Sequence, residues 1–135
     1  MPIVTWSDEL SVNIKEVDSQ HKGLVDLVNE LYDAMSAGKG SATLGNILSE
    51  LVKYTQIHFA DEEKIMADNQ YPGLPAHKIM HDNLTKQVVD FKNQFDAGKA
   101  VVSIEIMKFL RDWLANHIEG ADKAFMPFLN NKGIF

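Results

Sequence analysis

Five histidines and two carboxylates in this chain stand at spacings that suit the chelation of metal ions. His58 and Glu62 are four residues apart, as are His77 and His81; Asp122 follows His117 by five, and His21 stands alone. On a helix, an offset of four brings two side chains to one face about one turn apart, so such a pair offers two donor atoms to one ion. The set takes in every histidine of the sequence. With no cysteine in the chain, disulfides, iron–sulfur clusters, thiolate zinc sites and cysteine nucleophiles are excluded, and any metal is held by nitrogen and oxygen. Imidazole and carboxylate donors of this kind suit iron, manganese or zinc.

The hydrophobic pattern says what must position these groups. After Asp18, a good N-cap residue, His21, Leu24, Val28, Leu31 and Met35 recur at steps of three and four. Ser41 can cap a second helix whose inner stripe is Leu44, Leu48, Leu51, Thr55, His58, Glu62 and Ile65. Pro75 suits a first turn, and a third stripe carries His77, His81, Leu84, Val88, Phe91 and Phe95. Ser103 opens a fourth with Ile106, Leu110, Trp113, His117 and Ala121, and Pro127 stops it. The pattern predicts helices over about 18–37, 41–67, 75–97 and 103–126, preceded by an ordered arm over 1–17. No strand-like alternation persists, so the fold class is all-α, an antiparallel up-down-up-down four-helix bundle in a single domain spanning 1–135.

Each histidine falls on the apolar stripe of its helix, where an imidazole without partners costs free energy on burial. One such residue is most often a core histidine with a hydrogen-bonded neighbour. Five, spread over all four helices with two carboxylates at matching offsets and no histidine left for the surface, point to a metal site. In an up-down bundle, ligands early in helices one and three meet ligands late in helices two and four, so all seven gather at one end. If two six-coordinate metals share them, five imidazoles, two bridging carboxylates and one bridging oxide or hydroxide leave a single position open for a small molecule.

Composition narrows the partners. A chain of 135 residues, 45% hydrophobic and 24% charged, is one ordinary folded domain. A net charge of −6 with Arg111 as its sole arginine argues against nucleic acid or an anionic membrane as partner. The N-terminal stretch has no basic or apolar targeting region and no segment reaches a membrane span, so the expected location is cytoplasmic. No glutamate has a histidine three residues later, and His-Glu-x-x-His is absent; the ferritin-like di-iron pattern and the zincin proteases are set aside.

The set His21, His58-x-x-x-Glu62, His77-x-x-x-His81 and His117-x-x-x-x-Asp122 resembles the hemerythrin family, specifically its bacterial single-domain members, the bacteriohemerythrins. Trp6-Ser7-Asp8-Glu9 and Asp18-x-Gln20-His21-Lys22 look like that family's N-terminal arm and first helix, and the resemblance covers the whole chain. It implies reversible binding of dioxygen at two non-haem irons, for oxygen carriage, storage or delivery. One iron is then held by His77, His81 and His117 and the other by His21 and His58, with Glu62, Asp122 and an oxo or hydroxo group bridging; the second iron has the open position. Leu24, Phe59, Trp113 and Ile118 match the family's oxygen-pocket positions.

At helical spacing those four are also ordinary core, and both roles are compatible, since core side chains beside the ligands must wall the cavity. Apart from the Trp113 indole they are apolar, which favours binding over turnover, because an enzyme needs a polar group aimed at the open position. The competing readings are a di-iron peroxidase, oxidase or nitric oxide reductase, an oxygen or iron sensor, and a metal store; a client enzyme that uses the oxygen is not identified by the sequence. Asp61 and Glu63 read as solvated surface on either side of the inward Glu62. Finally, the offset of five between His117 and Asp122 turns the carboxylate off the stripe unless the helix loosens, and a π-type bulge is expected at Gly120.

Overall fold

In the computed structural model, residues 3–7, 10, 11, 14–99, 101–118 and 123–135 are described, with backbone alone at 41, 123 and 124. The helices are α1 (Lys15–Ser36), α2 (Ser41–Asp68), α3 (Leu74–Asp96), α4 (Ile104–Asn116) and α5 (Lys123–Asn131), and no strand occurs among the described residues. The first four form a four-helix bundle: α1 packs along α2 and α4, and α2 along α3. The Trp113 indole ties α4 to α3 by donating to the Leu84 carbonyl at 3.1 Å. None of the described helices is long and apolar enough to cross a membrane.

The apolar stripes face inward. Val17, Leu24, Val28 and Leu31 of α1, Leu48 and Leu51 of α2, Val88 of α3 and Met107, Leu110 and Leu114 of α4 are buried together with Phe125 and Leu129 of α5. Helix α1 starts at Lys15, so its N-cap position falls on Ile14 and not on Asp18, which sits in the first turn. The Asp18 carboxylate accepts instead from the Ser11 hydroxyl at 2.6 Å, and its charge still favours the positive end of the helix. The arm is therefore shorter than 1–17. It runs back along α1, where the Asn29 side chain bonds both the N–H (2.9 Å) and the carbonyl (2.8 Å) of Val4, and Lys22 lies over the Trp6 ring.

Two further boundaries differ from the sequence expectation. The N-cap position of α2 is Gly40, one residue before Ser41. Of the single helix expected over 103–126, the described residues show α4 and α5, with 119–122 between them outside the described residues: α4 begins at the Ser103 cap, whose Oγ accepts from the Ile106 N–H at 3.3 Å, and its regular part ends at Asn116. The backbone widens to a π-helical turn at His117 and Ile118; Gly120, where the loosening was expected, lies outside the described residues. Pro127 does not stop a helix but sits within α5. The helix continues past it to Asn131.

The turns are closed by a backbone N–H reaching five residues back. Lys39 bonds the Ala34 carbonyl at 3.0 Å with Gly38 at φ 71°, and Lys99 bonds Gln94 at 2.8 Å with Gly98 at φ 74°. At the end of α2, Tyr71 bonds Met66 at 2.9 Å, but the residue with positive φ (56°) is Gln70.

Candidate metal centre

At the opposite end of the bundle from Gly38 and Gly98, each of the four long helices delivers its histidines to one buried cluster. His21 comes from the second turn of α1, His58 and Glu62 from the last turns of α2, His77 and His81 from the start of α3, and His117 from the widened end of α4. Glu62 is fully buried at their centre. Its Oε1 is in close contact with His58 Nε2 and lies 3.3 Å from Nε2 of both His21 and His117. Its Oε2 faces His77 Nε2 at 3.5 Å and His81 Nε2 at 3.6 Å. One carboxylate thus divides the imidazoles into two sets of convergent donor atoms: His21, His58 and His117 with Glu62, and His77 and His81 with Glu62.

Burial alone would push the Glu62 carboxyl up. The charge of His117 and the close polar contacts of His117, His21 and His58 outweigh it, holding the group well below the ordinary carboxylate range. Burial pushes the His58 imidazole down, against the raising effect of Glu62. Glu62 is therefore a central anion, and burial favours the neutral form of His58, the protonation states that metal ligation requires of these two residues.

The outer nitrogens of two ligands are fixed by neighbours. Glu63 Oε2 accepts from His81 Nδ1–H at 3.0 Å, and Lys78 stands 4.0 Å from the other Glu63 oxygen. His58 Nδ1 meets Gln20 Oε1 at 2.6 Å, while Gln20 Nε2–H donates to Asp61 Oδ2 at 2.9 Å. With Nδ1 protonated, both rings present an Nε2 lone pair to a Glu62 oxygen, and lone pairs facing one another in a dry interior repel unless a cation lies between them. Neither Glu62 Oε2 nor His81 Nε2 has a hydrogen-bond partner among the described residues, although both are fully buried. The donor set and these unsatisfied inward atoms fit a metal centre.

Aromatic side chains lie against the cluster. Phe59 stacks face to face on His81, with ring centroids 3.9 Å apart, and lies 4.8 Å from His117 and 5.8 Å from His58. Trp113 stands 6.4 Å from Phe59, and Leu24 and Ile118 are completely buried. Tyr54 lies across α1 so closely that a Cβ on Gly23 would strike its hydroxyl, which explains a glycine inside a helix. Burial, then the charge of Asp26, raises the Tyr54 phenol above its usual range. With Gln20, Ile57 and His58 it lines a cleft of about 90 Å³ at the outer edge of His58.

A family model, the hemerythrin HHE cation binding domain, matches residues 12–129. The chain belongs to the hemerythrin family. It is 38% identical over 131 residues to a bacteriohemerythrin of Methylococcus capsulatus, covering 96% of this chain and 99% of that one. It is 36% identical over 125 residues to a bacteriohemerythrin of Stenotrophomonas maltophilia, covering 93% and 80%. A crystal structure of a wild-type hemerythrin superposes with a TM-score of 0.86 at 38% identity, over 93% of this chain and 96% of that one. Hemerythrins are oxygen-binding proteins that hold two irons, and this chain's cluster of histidines and Glu62 is able to hold metal.

Six of the seven residues singled out from the sequence converge, and the seventh, Asp122, lies outside the described residues. His117 stands between the two sets: its ring is 5.4 Å from His58 and 5.2 Å from His81, and its Nε2 groups with His21 and His58. Sequence reasoning missed Gln20, Asp61 and Glu63 as supports. Asp61 and Glu63 are half-buried, not solvated surface, because residues on either side of an inward helix position still reach the neighbouring helices α1 and α3. The available signal was that a ligating imidazole needs a partner for its other nitrogen.

Proposed function

We propose that this chain binds dioxygen reversibly at two non-haem irons, for oxygen carriage, storage or delivery. His77, His81 and His117 would hold one iron and His21 and His58 the other, with Glu62, Asp122 and an oxo or hydroxo group between them; the placement of His117 with α3's pair follows the family pattern. When bound, the two ferrous ions supply the two electrons that are exchanged with dioxygen and returned on its release. The observation that carries the reading is a single buried carboxylate whose two oxygens face two separate sets of imidazoles. It suits a pair of metals better than one.

The protein's own contribution is ligation and the exclusion of water. Glu63 and Gln20 hold the outer nitrogens of His81 and His58, so their inner lone pairs stay directed at the centre. Leu24, Phe59, Trp113 and Ile118 keep solvent from the donors, and a dry site opposes the proton-assisted loss of bound oxygen as a reduced species. The indole N–H of Trp113 is engaged by the Leu84 carbonyl and turned from the role of proton donor to the cluster, which supports binding over catalytic turnover.

The test compares absorption of the reduced, iron-loaded protein before and after air, with iron measured per chain. Two irons per chain and a visible charge-transfer band that appears in air and vanishes under oxygen-free gas are expected. One iron, zinc alone, or an irreversible change would overturn the reading. Leu24→Ala removes a wall without removing a ligand; at equal iron loading the band should decay faster than in the parent, and faster again in Leu24→Asn. Unchanged decay would make Leu24 core only.

A further inference from the structure

Gln20 precedes a ligand in sequence, yet its side chain serves a different one. The hydrogen bonds decide its orientation. Asp61 Oδ2 can only accept, so the Gln20 group 2.9 Å from it is the NH₂, and the amide oxygen must be the atom 2.6 Å from His58 Nδ1. An oxygen at that distance requires Nδ1 to carry the proton, leaving the lone pair on Nε2, the atom in contact with Glu62. The carboxylate of Asp61 thereby sets the tautomer of His58 through an intervening amide. On the other side of the cluster Glu63 does the same for His81 directly, at 3.0 Å.

The amide matters because of what surrounds it. The cleft of about 90 Å³ lined by Gln20, Tyr54, Ile57 and His58 opens at the outer edge of the imidazole. Water there could either donate to or accept from Nδ1 and would leave both tautomers accessible; an amide whose NH₂ is held by a carboxylate offers only its oxygen. We propose that Gln20, oriented by Asp61, is a positioning residue that fixes the tautomer and ring direction of His58 for the metal on the His21 and His58 side.

This rests on the two-metal reading above and deepens it, and stepwise loading separates the two. Cobalt(II) titrated into the metal-free wild type, followed by its visible absorption, should bind in two steps. In Gln20→Leu, which keeps the bulk and removes both hydrogen bonds, one step should weaken about 10–100-fold while the other holds, the usual effect of removing a ligand's supporting partner. Asp61→Asn should weaken the same step by less, because an asparagine can present either oxygen or NH₂ and lets the Gln20 amide turn over. The double variant Gln20→Glu/Asp61→Asn moves the carboxylate inward by one place, restores an acceptor at His58 and a donor behind it, and should recover the lost step.

A second readout is the His58 Nδ1–H resonance in zinc-loaded protein: slow to exchange in wild type and in the double variant, fast or absent in Gln20→Leu. Full affinity and a slowly exchanging Nδ1–H in Gln20→Leu would overturn the proposal. So would equal weakening of both steps together with loss of helix, or failure of the double variant to recover. Absence of two-step loading in the wild type would instead overturn the two-metal reading, and the proposal with it.

Discussion

Where α1 ends and α2 begins, the bundle's interior is Leu31, Leu48, Val88, Phe91 and Met107, none with a side-chain nitrogen or oxygen; at the other end it is five imidazoles around one carboxylate. Both ends are equally dry, but burial acts on them with opposite sign. Each large apolar side chain contributes roughly 1.5–3 kcal/mol on leaving water, whereas each buried polar atom without a partner costs roughly 1–3 kcal/mol. The two ends share the same helices, so the apolar end must hold the polar end in place until a metal satisfies it. The fold thus keeps a costly, preorganised ligand set at one pole by concentrating its favourable packing at the other.

The largest test of this contrast is metal removal. Stripping the metal from the loaded protein should lower its stability by several kcal/mol, since buried acceptors such as Glu62 Oε2 and His81 Nε2 then lack partners, and should lower the melting temperature accordingly. Amide hydrogen exchange should locate the loss, rising in the last turns of α2 and the first turns of α3 and least around Leu31 and Leu48. An unchanged melting temperature, or exchange that rises evenly along the bundle, would break the contrast between the ends.

Next in size is Leu48→Ala at the apolar end. Leu48 is fully buried, and its truncation should cost about 2–5 kcal/mol by denaturant unfolding, in metal-loaded and metal-free protein alike. Metal content per chain should stay at the wild-type value under native conditions. If the variant loses metal as readily as stability, packing at the far pole and ligand geometry are one cooperative unit.

The same contrast explains what could be read from the sequence. The apolar stripes run along whole helices and report inward direction at every turn, so the all-α bundle and the convergence of His21, His58, Glu62, His77, His81 and His117 followed from periodicity and chain direction. Boundaries were less legible because local signals compete: Asp18 looks like a cap, but Ile14 and Val17 are buried and extend α1 backwards past it. Pro127 looks like a stop, yet α5 runs through it to Asn131. The supports of the ligands were invisible for another reason. Gln20, Asp61 and Glu63 lie beside inward positions, and which neighbouring helix each reaches depends on helix rotation and separation, which no single stretch of sequence encodes.

The smallest expected effect concerns the turns at the two poles. At the apolar pole α1 and α3 close through Gly38 and Gly98 at φ 71° and 74°, a conformation that glycine adopts without a Cβ clash. The turn from α2 to α3 lies beside the ligands and uses Gln70 at φ 56°, where a side chain brings strain of about 1–2 kcal/mol. Gln70 is exposed, so its side chain gains little from packing in return. Gln70→Gly relieves the strain but frees the unfolded chain at a cost of roughly 0.5–1 kcal/mol, which leaves a net stabilisation of about 0.5–1 kcal/mol. Gly98→Gln makes the reverse exchange at the apolar pole and should destabilise by a similar amount. Denaturant midpoints of the two variants, each measured with and without metal, give the comparison. If Gln70→Gly destabilises the protein, the glutamine contributes at the metal pole through something other than its backbone, and the turn beside the ligands is more than a strained connection.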